Sequence, residues 1–433
     1  MRLKLLLLCF MYIAIVHPVQ SQGLPADTLK LTLNEAENQF LKNNLALMIQ
    51  HYNIDNAKAQ VITARLFQNP QLDLSSVLYN PVTKKILDLS QSDSIPSHNG
   101  EYTIGISQLF LTAGKRNKNI QLAKVGVEQA TYQFFDLLRT LRYTLRNDFY
   151  SIYFQQQSEK VYNQEINALE KILVAFDEQY KRGYISEKEV LRIQSLLYSL
   201  KAEYTALQSS IESTNAEFKM LIKASPTSEV VALYNYDLYG QPVLTSVPYQ
   251  KLLDSANLNR SDLKIAQANM AYNAVNLKVQ QALAIPDITV SGNFDKLGSY
   301  IPNYTSIGLS FSLPFFNRNQ GGIRQARVAI EQGKMQYQQQ QNQVESDVAS
   351  NYKIALKLEL FCNSLSPKFK QDYTHLVQEV LKNYISRNIG LLDFLSYYDD
   401  FKNNSLLLNN ALLNRVTSLE KLNYVTGTPF FNK

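Results

Sequence analysis

Two kinds of hydrophobic periodicity alternate along the chain, and each returns in its second half. Apolar and polar residues alternate in residues 71–75, 102–110, 287–294 and 304–313. A period of two is typical of β-strands, because successive side chains point to opposite faces of a sheet. Polar, turn-rich segments separate the first run from the second and the third from the fourth. The pattern therefore predicts four strands in two β-hairpins, residues 69–111 and 286–314.

A helical segment precedes each predicted β-hairpin. Residues 31–67 and 249–284 have helical patterns, and Pro70 and Pro286 follow them. Proline lacks a backbone N–H, and it disfavours the helical conformation in the residue before it. We therefore predict one helix before each β-hairpin, ending at the proline.

A longer helical pattern follows each β-hairpin. Residues 115–182 contain no proline, and as a single helix they would be about 100 Å long. Beyond them, residues are spaced alternately by three and four, and only Thr214 is polar among Val190, Ile193, Leu197, Leu200, Tyr204, Leu207, Ile211, Thr214, Phe218 and Leu221. The second half repeats this spacing, with Ser405 and Arg415 as exceptions, at Leu391, Phe394, Tyr398, Phe401, Ser405, Leu408, Leu412, Arg415, Leu419 and Leu422. These two rows, the first and second apolar seams, are typical of coiled coils and predict helical hairpins over residues 113–223 and 319–427.

The turn in each predicted helical hairpin carries signals of a helix end and a helix start. Gly183 suits the left-handed conformation that ends a helix, and Ser186 with Glu189 has the spacing of a capping box. In the second half, Asn388 stands near the glycine position and Asp393 matches Glu189. We call residues 182–189 and 387–393 the first and second tip turns. Ser366 and Pro367 predict an additional break in the second long helix.

The two halves of the chain are similar in sequence. From Gly105 and Gly308 to Gln129 and Gln332, the offset between matching positions stays at 203 residues. Several matches in the same order indicate an internal duplication. We therefore divide the chain into a first repeat, residues 22–223, a linker, residues 224–246, and a second repeat, residues 247–433.

The first residues have the pattern of a signal peptide. Arg2 and Lys4 precede an apolar stretch over residues 5–16, and cleavage before Gln22 would remove residues 1–21. Lipidation at Cys9 is an alternative, but no small residues precede that cysteine. After cleavage Cys362 would be the single cysteine, so we expect no intramolecular disulfide. No later segment has enough consecutive apolar residues for a transmembrane helix.

Composition and motifs argue against several classes of protein. Hydrophobic residues make up 45% of the chain, so a large core can form, and the net charge of +6 is not concentrated in a basic block that would bind nucleic acid. The sequence has no phosphate-binding glycine loop, no HExxH and no GxSxG motif, so we predict no enzyme. His51, His98 and His375 lie far apart, and we predict neither a metal site nor a cofactor. The acidic residues scattered along the helices are expected on solvated outer faces.

Four strands are too few to close a barrel, and open edges would leave backbone amides unpaired in a membrane. Three copies would supply twelve strands, an even number within the range of bacterial outer-membrane barrels. The predicted fold class is therefore a mixed α/β membrane protein. Its trimer would form a twelve-stranded barrel continued by a tube of coiled-coil helices.

Several segments resemble the TolC-type outer-membrane efflux protein family over most of the chain. They are Phe67-Gln-Asn-Pro70, Ser107-Gln-Leu-Phe-Leu-Thr-Ala-Gly-Lys-Arg116, Tyr180-Lys-Arg-Gly-Tyr-Ile-Ser186 and Leu313-Pro-Phe-Phe-Asn-Arg-Asn-Gln-Gly321. The segments around Lys115 and Arg318 are most similar to the CzcC-like branch, which serves heavy-metal cation pumps. The resemblance implies a homotrimer in the outer membrane of a Gram-negative bacterium, with a β-barrel in the lipid and an α-helical barrel in the periplasm. It also implies a periplasmic adaptor protein and an inner-membrane pump, expected to be of the RND class, as partners.

By the same resemblance, the tip turns close the periplasmic end of the duct. This assigns Glu189, Asp393 and neighbouring Glu187 to the aperture, where rings of carboxylates would favour cations. The alternative for Glu189 is a helix cap, and Asp393 would then be merely solvated. Contacts with the adaptor, or simple turn-forming roles, are expected at Arg182, Gly183, Ser186, Arg387 and Asn388.

The predicted function is a passive exit duct of a tripartite pump that expels small molecules or metal cations. One alternative within the same class is the exit duct of a type I protein-secretion system, which the sequence does not distinguish. An alternative of another class is a periplasmic coiled-coil scaffold or adhesin. The predicted strands between the helices argue against the scaffold, because a purely helical coiled coil would not contain segments with a period of two.

Overall fold

The structure is a computed structural model that describes residues 27–89, 100–234, 244–297, 301–365, 369–386 and 388–431. The expected signal peptide, residues 1–21, and Arg387 lie outside the described residues. The helices are α1 Leu33–Asn43, α2 Leu45–Arg65, α3 Lys115–Lys181, α4 Glu187–Ile222, α5 Tyr249–Asn259, α6 Ser261–Leu283, α7 Gln320–Ser364, α8 Phe369–Ile385 and α9 Leu391–Thr426. The strands are β1 Thr28–Leu31, β2 Gln71–Ser76, β3 Tyr79–Asn80, β4 Lys85–Ile86, β5 Tyr102–Phe110, β6 Glu229–Ala232, β7 Ile288–Asp295 and β8 Tyr304–Ser310.

The four predicted strands are present and form one antiparallel sheet in the order β2-β5-β7-β8. Each half of the chain contributes one antiparallel pair, and β5 pairs with β7 to join them. The register is continuous, since Ile106 lies opposite Leu72 on one side and opposite Gly292 on the other. The strand predictions are therefore confirmed in position and in pairing.

Two small sheets were not expected from the sequence. Strand β1 pairs in parallel with β6, which lies within the segment that we expected to be a linker. The short strands β3 and β4 pair within the turn-rich segment that follows β2. These strands have two to four residues each, which is too short for a period of two to be recognised.

The single helix predicted before each β-hairpin is wrong in both halves, because each is divided in two. Asn44 separates α1 from α2 and Arg260 separates α5 from α6, and both residues have extended backbone. Both side chains are buried. The Asn44 amide donates to the carbonyl of Leu221 at 2.9 Å, and the Arg260 guanidinium pairs with Asp347 at 2.9 Å. A buried polar group that is satisfied outside its own helix explains each break.

The long helices follow the prediction closely. Helix α3 is continuous over 67 residues, and helices α7 and α8 end and begin on either side of the expected break at Pro367. The residues of that break, Ser366 and Pro367, lie outside the described residues.

The described chain forms two compact units, each of which draws on both repeats. Within the described residues, the first unit comprises residues 27–44, 144–234, 360–365, 369–386 and 388–417, and the second comprises residues 45–89, 100–143, 244–297, 301–359 and 418–431. In the first unit, both apolar seams enter one core, with Ile193, Leu197 and Leu200 packed in a cluster that also contains Phe394 and Tyr398. The seams are therefore buried, as coiled-coil packing requires.

The second unit contains the four-stranded sheet and a separate helical core. Leu252 of α5, Val344 and Val348 of α7, and Leu422 of α9 are fully buried in that core. The sheet contributes none of the buried residues of this core. The apolar side chains of the sheet therefore do not belong to the helical core of this unit.

Candidate functional site

The four-stranded sheet has two chemically different faces. Residues that lie opposite each other in an antiparallel pair share a face, and neighbours along a strand alternate between faces. One face, the apolar face, carries Leu72, Leu74, Ile104, Ile106, Phe110, Ile288, Val290, Phe294, Ile307 and Leu309. The other, the polar face, carries Asp73, Ser75, Thr103, Ser107, Thr289, Ser291, Asn293, Ser306 and Ser310. The exceptions on the apolar face are Ser76, Gln108 and Thr305, and the exceptions on the polar face are Leu109 and Tyr304.

The apolar face lies open. Ile307 is 83% exposed, and Leu309 and Leu74 are exposed to a similar extent. A contiguous apolar patch of this kind marks a surface that is covered by a partner or a membrane. On the polar face, side chains of neighbouring strands bond to each other: the hydroxyls of Ser75 and Thr103 form a hydrogen bond of 2.7 Å.

Glycines on the polar face make room for these polar side chains. A Cβ atom added at Gly105 would lie 2.8 Å from the Asn293 Oδ1 atom, and one added at Gly308 would lie 2.7 Å from the Ser291 Oγ atom. Real Cβ atoms do not approach other atoms so closely. Glycine at these positions therefore lets polar groups of neighbouring strands lie flat along this face.

The sheet has two open edges, β2 and β8. Each has a single neighbour among the described strands. Because successive strands in the order β2-β5-β7-β8 are antiparallel, β8 runs opposite to β2. The free edges are therefore oriented so that β8 of one copy can pair antiparallel with β2 of another.

The helices of the second unit repeat the order of the strands. Helix α2 leads into β2, β5 leads into α3, α6 leads into β7, and β8 leads into α7. Contacts follow the same order: the rings of His51 and Phe134 join α2 to α3, and Gln129 donates to Asn269 to join α3 to α6. Asn273 then donates to the carbonyl of Ala329 and joins α6 to α7. Helices α2 and α7 are therefore the edges of this layer, as β2 and β8 are the edges of the sheet.

A buried ion pair fixes the junction between the sheet and these helices. Lys115, the first residue of α3, lies 2.7 Å from Asp287, which immediately precedes β7. The same ammonium donates to the carbonyl of Ile285 at 2.6 Å, and the backbone N–H of Thr112 donates to Asp287 at 2.8 Å. Charge-assisted bonds at one point hold the start of α3 against the entry to β7.

The first tip turn has the geometry that its sequence predicts. Gly183 has a φ angle of +76°, and the N–H of Tyr184 donates to the carbonyl of Gln179 at 2.9 Å. A left-handed residue with this six-to-one bond is a Schellman helix end. Glu189 accepts hydrogen bonds from the backbone N–H and the hydroxyl of Ser186, at 2.9 and 3.0 Å. The carboxylate of Glu189 is thus engaged at the start of its own helix.

The second tip turn differs in two ways. The N–H of Asn388 donates to the carbonyl of Asn383 at 2.9 Å, which is the bond that Tyr184 makes in the first turn. Asn388 therefore matches Tyr184, one residue later than the glycine position near which we expected it. Gly390 replaces Ser186 at the start of the next helix, so Asp393 has no hydroxyl to pair with. Within the described residues the exposed side chain of Asp393 makes no hydrogen bond or ion pair.

The remaining residues proposed for the tips are exposed. Glu187 and Arg182 both face solvent, and the Arg182 guanidinium lies 4.0 Å from the Glu178 carboxylate. Arg387 lies outside the described residues. The geometry thus leaves the carboxylates of Glu187 and Asp393 available, whereas that of Glu189 is engaged in a cap.

An aromatic stack supports both tip turns inside the first unit. The Tyr384 ring stacks on Phe394 with centroids 4.4 Å apart, and Phe176 lies 6.1 Å from Tyr384 on the other side. Burial, with a smaller contribution from the charge of Glu189, raises the pKa of Tyr384 to about 12. The stack links α3, α8 and α9 just beneath the turns.

A cluster of ionisable side chains around the buried Lys402 and Glu165 in the first unit was not foreseen from the sequence. Lys402 lies 3.1 Å from Glu203 and 3.2 Å from Asp399. Glu165 is almost fully buried beside them, and burial raises its pKa to about 8, although the Lys402 charge acts in the opposite direction. Glu165 is therefore an exception to the expectation that acidic residues on the helices lie on solvated outer faces. Its position three residues after Tyr162 and four before Leu169, both buried in the same core, was the available signal.

Neither a membrane-spanning helix nor a group of metal ligands is found among the described residues. No helix there is both long enough and apolar enough to cross a membrane. No group of three or more histidine, cysteine, aspartate or glutamate residues is placed there to hold a metal ion. Cys362 is a buried free thiol.

The chain is similar to outer membrane efflux proteins and to proteins of metal resistance. Residues 37–222 match the family described as outer membrane efflux protein. The chain is 24% identical over 301 residues to the nickel-cobalt-cadmium resistance protein NccC of Alcaligenes xylosoxydans xylosoxydans, a match that covers 67% of this chain and 62% of that protein. It is 21% identical over 307 residues to the cobalt-zinc-cadmium resistance protein CzcC of Cupriavidus metallidurans, covering 71% of this chain and 68% of that protein.

Among solved structures, the chain has the fold of the CmeC outer membrane channel of Campylobacter jejuni. The TM-score is 0.73 at 15% identity, and the match covers 92% of this chain and 86% of that one. The matched family and the matched structures are channel proteins rather than enzymes. Over residues 37–222 the chain therefore matches the outer membrane efflux protein family, and the proteins to which it is similar include two that are named for heavy-metal resistance.

Proposed function

We propose that the protein is a passive exit duct of a tripartite efflux pump in the outer membrane. The observation that carries the proposal is the four-stranded sheet, with an exposed apolar face, a polar face and two open edges. Lipid on the apolar face would bury side chains such as Ile307 and Leu309, at about 25 cal/mol for each Å² removed from water. The polar face would line a water-filled lumen, as in other outer-membrane barrels.

Three copies would close the sheet. Strand β8 of each copy would pair with β2 of the next and give twelve antiparallel strands without a free edge. The pairing would satisfy the backbone groups that both edges leave open, and an unpaired amide in hydrocarbon costs several kcal/mol. The antiparallel orientation of β2 and β8 within one copy supports this closure.

The helix edges would meet at the same boundary between copies. Tyr52 lies thirteen residues before the end of α2, and Met335 lies fifteen residues after the start of α7. At 1.5 Å per residue, these positions are about 20 and 22 Å from the helix ends nearest the sheet. Both side chains are largely exposed, at 67% and 61%. Rotation about an axis parallel to the helices keeps the distance of each residue from the sheet the same in every copy. Tyr52 of one copy would therefore face Met335 of the next.

The relatives indicate the cargo and the partners. NccC and CzcC are named for resistance to nickel, cobalt, zinc and cadmium, which supports divalent metal cations as substrates. We propose that such cations are conducted rather than ligated. A periplasmic adaptor and an inner-membrane pump of the RND class would complete the assembly, with the tip turns as the end that meets the adaptor.

The same tips would form the aperture. We propose that Asp393 supplies its main carboxylate, because its side chain is exposed and outside any cap. Glu187 is a second exposed carboxylate, and Glu189 would add its charge while it caps its helix. In a trimer these groups would surround one axis and favour cations.

Disulfide trapping tests the trimer and its helix boundary. Tyr52→Cys and Met335→Cys are combined in a Cys362→Ser background, and the protein is oxidised in detergent. We expect trimers joined by disulfides, which reducing agent separates into monomers. Ile62→Cys with Met335→Cys is the matched control, because Ile62 lies only three residues before the end of α2. Trapping with equal yield in the control, or a protein that is monomeric by mass before oxidation, contradicts the arrangement.

A further inference from the structure

A carboxyl group lies inside the helical core of the first unit. Glu165 of α3 is 3% exposed, and its Oε1 atom has no hydrogen-bond partner among the described residues. Tyr162 and Tyr398, which belong to the apolar core, lie close to it. An ionised carboxyl in such surroundings loses its hydration without replacement, so the charged form is disfavoured. Burial accordingly raises the pKa of Glu165 to about 8, and the group holds a proton at neutral pH.

Lys402 of α9 is a cation that acts on this carboxyl. Its side chain is almost fully buried, and the ammonium lies 3.1 Å from Glu203 of α4 and 3.2 Å from Asp399 of its own helix. The charge of Lys402 also opposes the effect of burial on the pKa of Glu165. The ammonium is therefore within electrostatic reach of carboxyl groups on both α3 and α4, and it is paired with the one on α4.

These two carboxyl groups differ in their access to water. The Glu203 side chain is 45% exposed, so water can solvate its charge if Lys402 leaves. Glu165 has no such access. Once it is ionised, its charge is either neutralised by a cation of the protein or left buried and unpaired, which is the costlier state. Loss of the proton from Glu165 therefore draws Lys402 away from Glu203.

We propose that Lys402 is the moving part of a proton-controlled switch between two interhelical ion pairs. While Glu165 is protonated, Lys402 joins α9 to α4 through Glu203. When Glu165 is ionised, Lys402 joins α9 to α3 through Glu165, and Glu203 turns to solvent. Helix α9 begins in the second tip turn, so the switch changes the attachment of the helix that carries Asp393. The exchange needs neither a membrane nor a second copy, so it can fail while the proposed function stands.

Other ionisable side chains also face Glu165. They come from three helices and are Tyr162 of α3, Glu203 of α4, and Tyr398 and Asp399 of α9. Burial raises the pKa of both tyrosines, so they stay neutral while Glu165 titrates. Tyr384 of α8, in the same core, also has a raised pKa. Asp399 is half-exposed and repels an ionised Glu165. Among the described groups that act on the pKa of Glu165, Lys402 is thus the cation that can neutralise it.

Infrared spectroscopy tests the proton on Glu165. Asp148→Asn serves as the background, because burial raises the pKa of Asp148 to about 7 and its signal would overlap. Compared with Asp148→Asn/Glu165→Gln, the background protein should show an additional C=O band of a protonated carboxyl at pH 6. That band should be absent at pH 9, with a midpoint at about pH 8. If it is missing at pH 6 or remains at pH 9, the switch is overturned.

The same band shows whether Glu203 and Glu165 compete for Lys402. Glu203→Gln removes a repelling charge and frees Lys402, so the midpoint of Glu165 should fall. Lys402→Met should raise it. Glu203 is half-exposed, so its substitution remains informative even if Lys402→Met does not fold. A midpoint that Glu203→Gln leaves unchanged contradicts the competition.

Double-mutant cycles test the exchange itself. Lys402→Met and Glu203→Gln are made singly and together, and their effects on the melting temperature are compared at pH 6 and pH 9. The two effects should be coupled at pH 6 and additive at pH 9. The cycle of Lys402→Met with Glu165→Gln should show the reverse. In a Glu165→Gln background, the coupling between Lys402 and Glu203 should be the same at both pH values.

Lys201→Met with Glu170→Gln is the control cycle. This pair joins α4 to α3 at 2.6 Å, but both side chains are exposed, so its coupling should not change between pH 6 and pH 9. If Lys402 stays coupled to Glu203 at pH 9 although the band of Glu165 is lost, water compensates the new charge and the exchange is wrong. A change of the same size in the control cycle also overturns it.

Discussion

The helical core of the first unit and the sheet of the second use similar side chains in opposite ways. In the core, Leu200 and Phe394 are buried between helices, and the side chains of Glu165 and Lys402 are buried as well. In the sheet, Ile307 and Leu309 point outward and are exposed. The sheet keeps its polar groups on the opposite face.

This difference indicates two different surroundings. A helix pair in water buries its apolar stripe against another helix, as the seams do. A sheet with apolar residues on an open face fits hydrocarbon, where apolar surface needs no protein partner. Substitutions that exchange apolar for charged residues should therefore act through folding in the core and through membrane insertion in the sheet.

The largest effect is expected in the core. Leu200→Asp places a charge at a position that is 3% exposed, and it should destabilise the first unit by about 3 kcal/mol or more. Leu191→Asp is the matched control, because Leu191 lies on the same helix and is 54% exposed. Thermal unfolding in detergent, followed by circular dichroism, compares the two. Equal melting temperatures for both variants would show that the seam is not a folding core.

A charge on the apolar face of the sheet should act differently. Ile307→Arg should leave the helical core intact but disfavour insertion by about 2–4 kcal/mol for a position near the bilayer midplane. Ser306→Arg, the adjacent residue on the polar face, should insert normally. The fraction of refolded protein that floats with vesicles in a density gradient measures this. A loss of insertion in both variants would contradict the assignment of the two faces.

The buried carboxyl of Glu165 should make the stability of the core depend on pH. Its pKa is raised to about 8 from 4.5, so between these values the folded state holds a proton that the unfolded state releases. Stability conferred by this group is complete below pH 4.5 and declines as pH rises towards 8. Lys402, Glu203 and Asp399 face the same site. Glu165→Gln should therefore raise the melting temperature at pH 8 more than at pH 5.

Glu170→Gln is the control for this prediction. Glu170 lies on the same helix, and its ion pair with Lys201 is solvent-exposed, so its loss should cost at most about 1 kcal/mol. The melting temperature of each variant is compared with that of the parent at both pH values. If Glu165→Gln and Glu170→Gln shift it alike, Glu165 is not buried in the protonated form.

The sequence predicted long elements better than interruptions. Helix α3 and the paired strands were foreseen because a repeated period accumulates over many residues. Asn44 and Arg260 were not, because each break depends on a distant partner, the carbonyl of Leu221 or the carboxylate of Asp347. Glu165 was misplaced because an acidic residue in a helix usually lies on a solvated face, and only its spacing from Tyr162 and Leu169 indicated the core.

For the tip turns, the sequence indicated the positions of the residues but not their orientations. It foresaw the Gly183 turn and the pairing of Glu189 with Ser186, since both depend on neighbouring residues. It put Asn388 only near the glycine position, and the structure places Asn388 where the first turn has Tyr184. Which carboxylates face an axis depends on other copies of the chain, and no local pattern encodes that.

The smallest effect, and the one that separates the two tip turns, concerns their carboxylates. Glu189→Ala removes the group that accepts from Ser186 and should cost about 1 kcal/mol of helix stability. Asp393→Ala removes no hydrogen bond within the described residues and should leave the melting temperature unchanged. If the tips form the aperture, Asp393→Ala should nevertheless lower the preference for cations, because a ring of carboxylates in a narrow pore attracts them.

The reversal potential of single channels in a planar bilayer, under a salt gradient, measures that preference. We expect the order parent, Glu189→Ala, Asp393→Ala and then the double variant, from the most to the least cation-selective. Asp393→Asn keeps the size of the side chain and should reproduce the loss, which distinguishes charge from shape. If the double variant keeps the selectivity and conductance of the parent, both carboxylates serve only the turns. The narrowest part of the duct must then lie elsewhere.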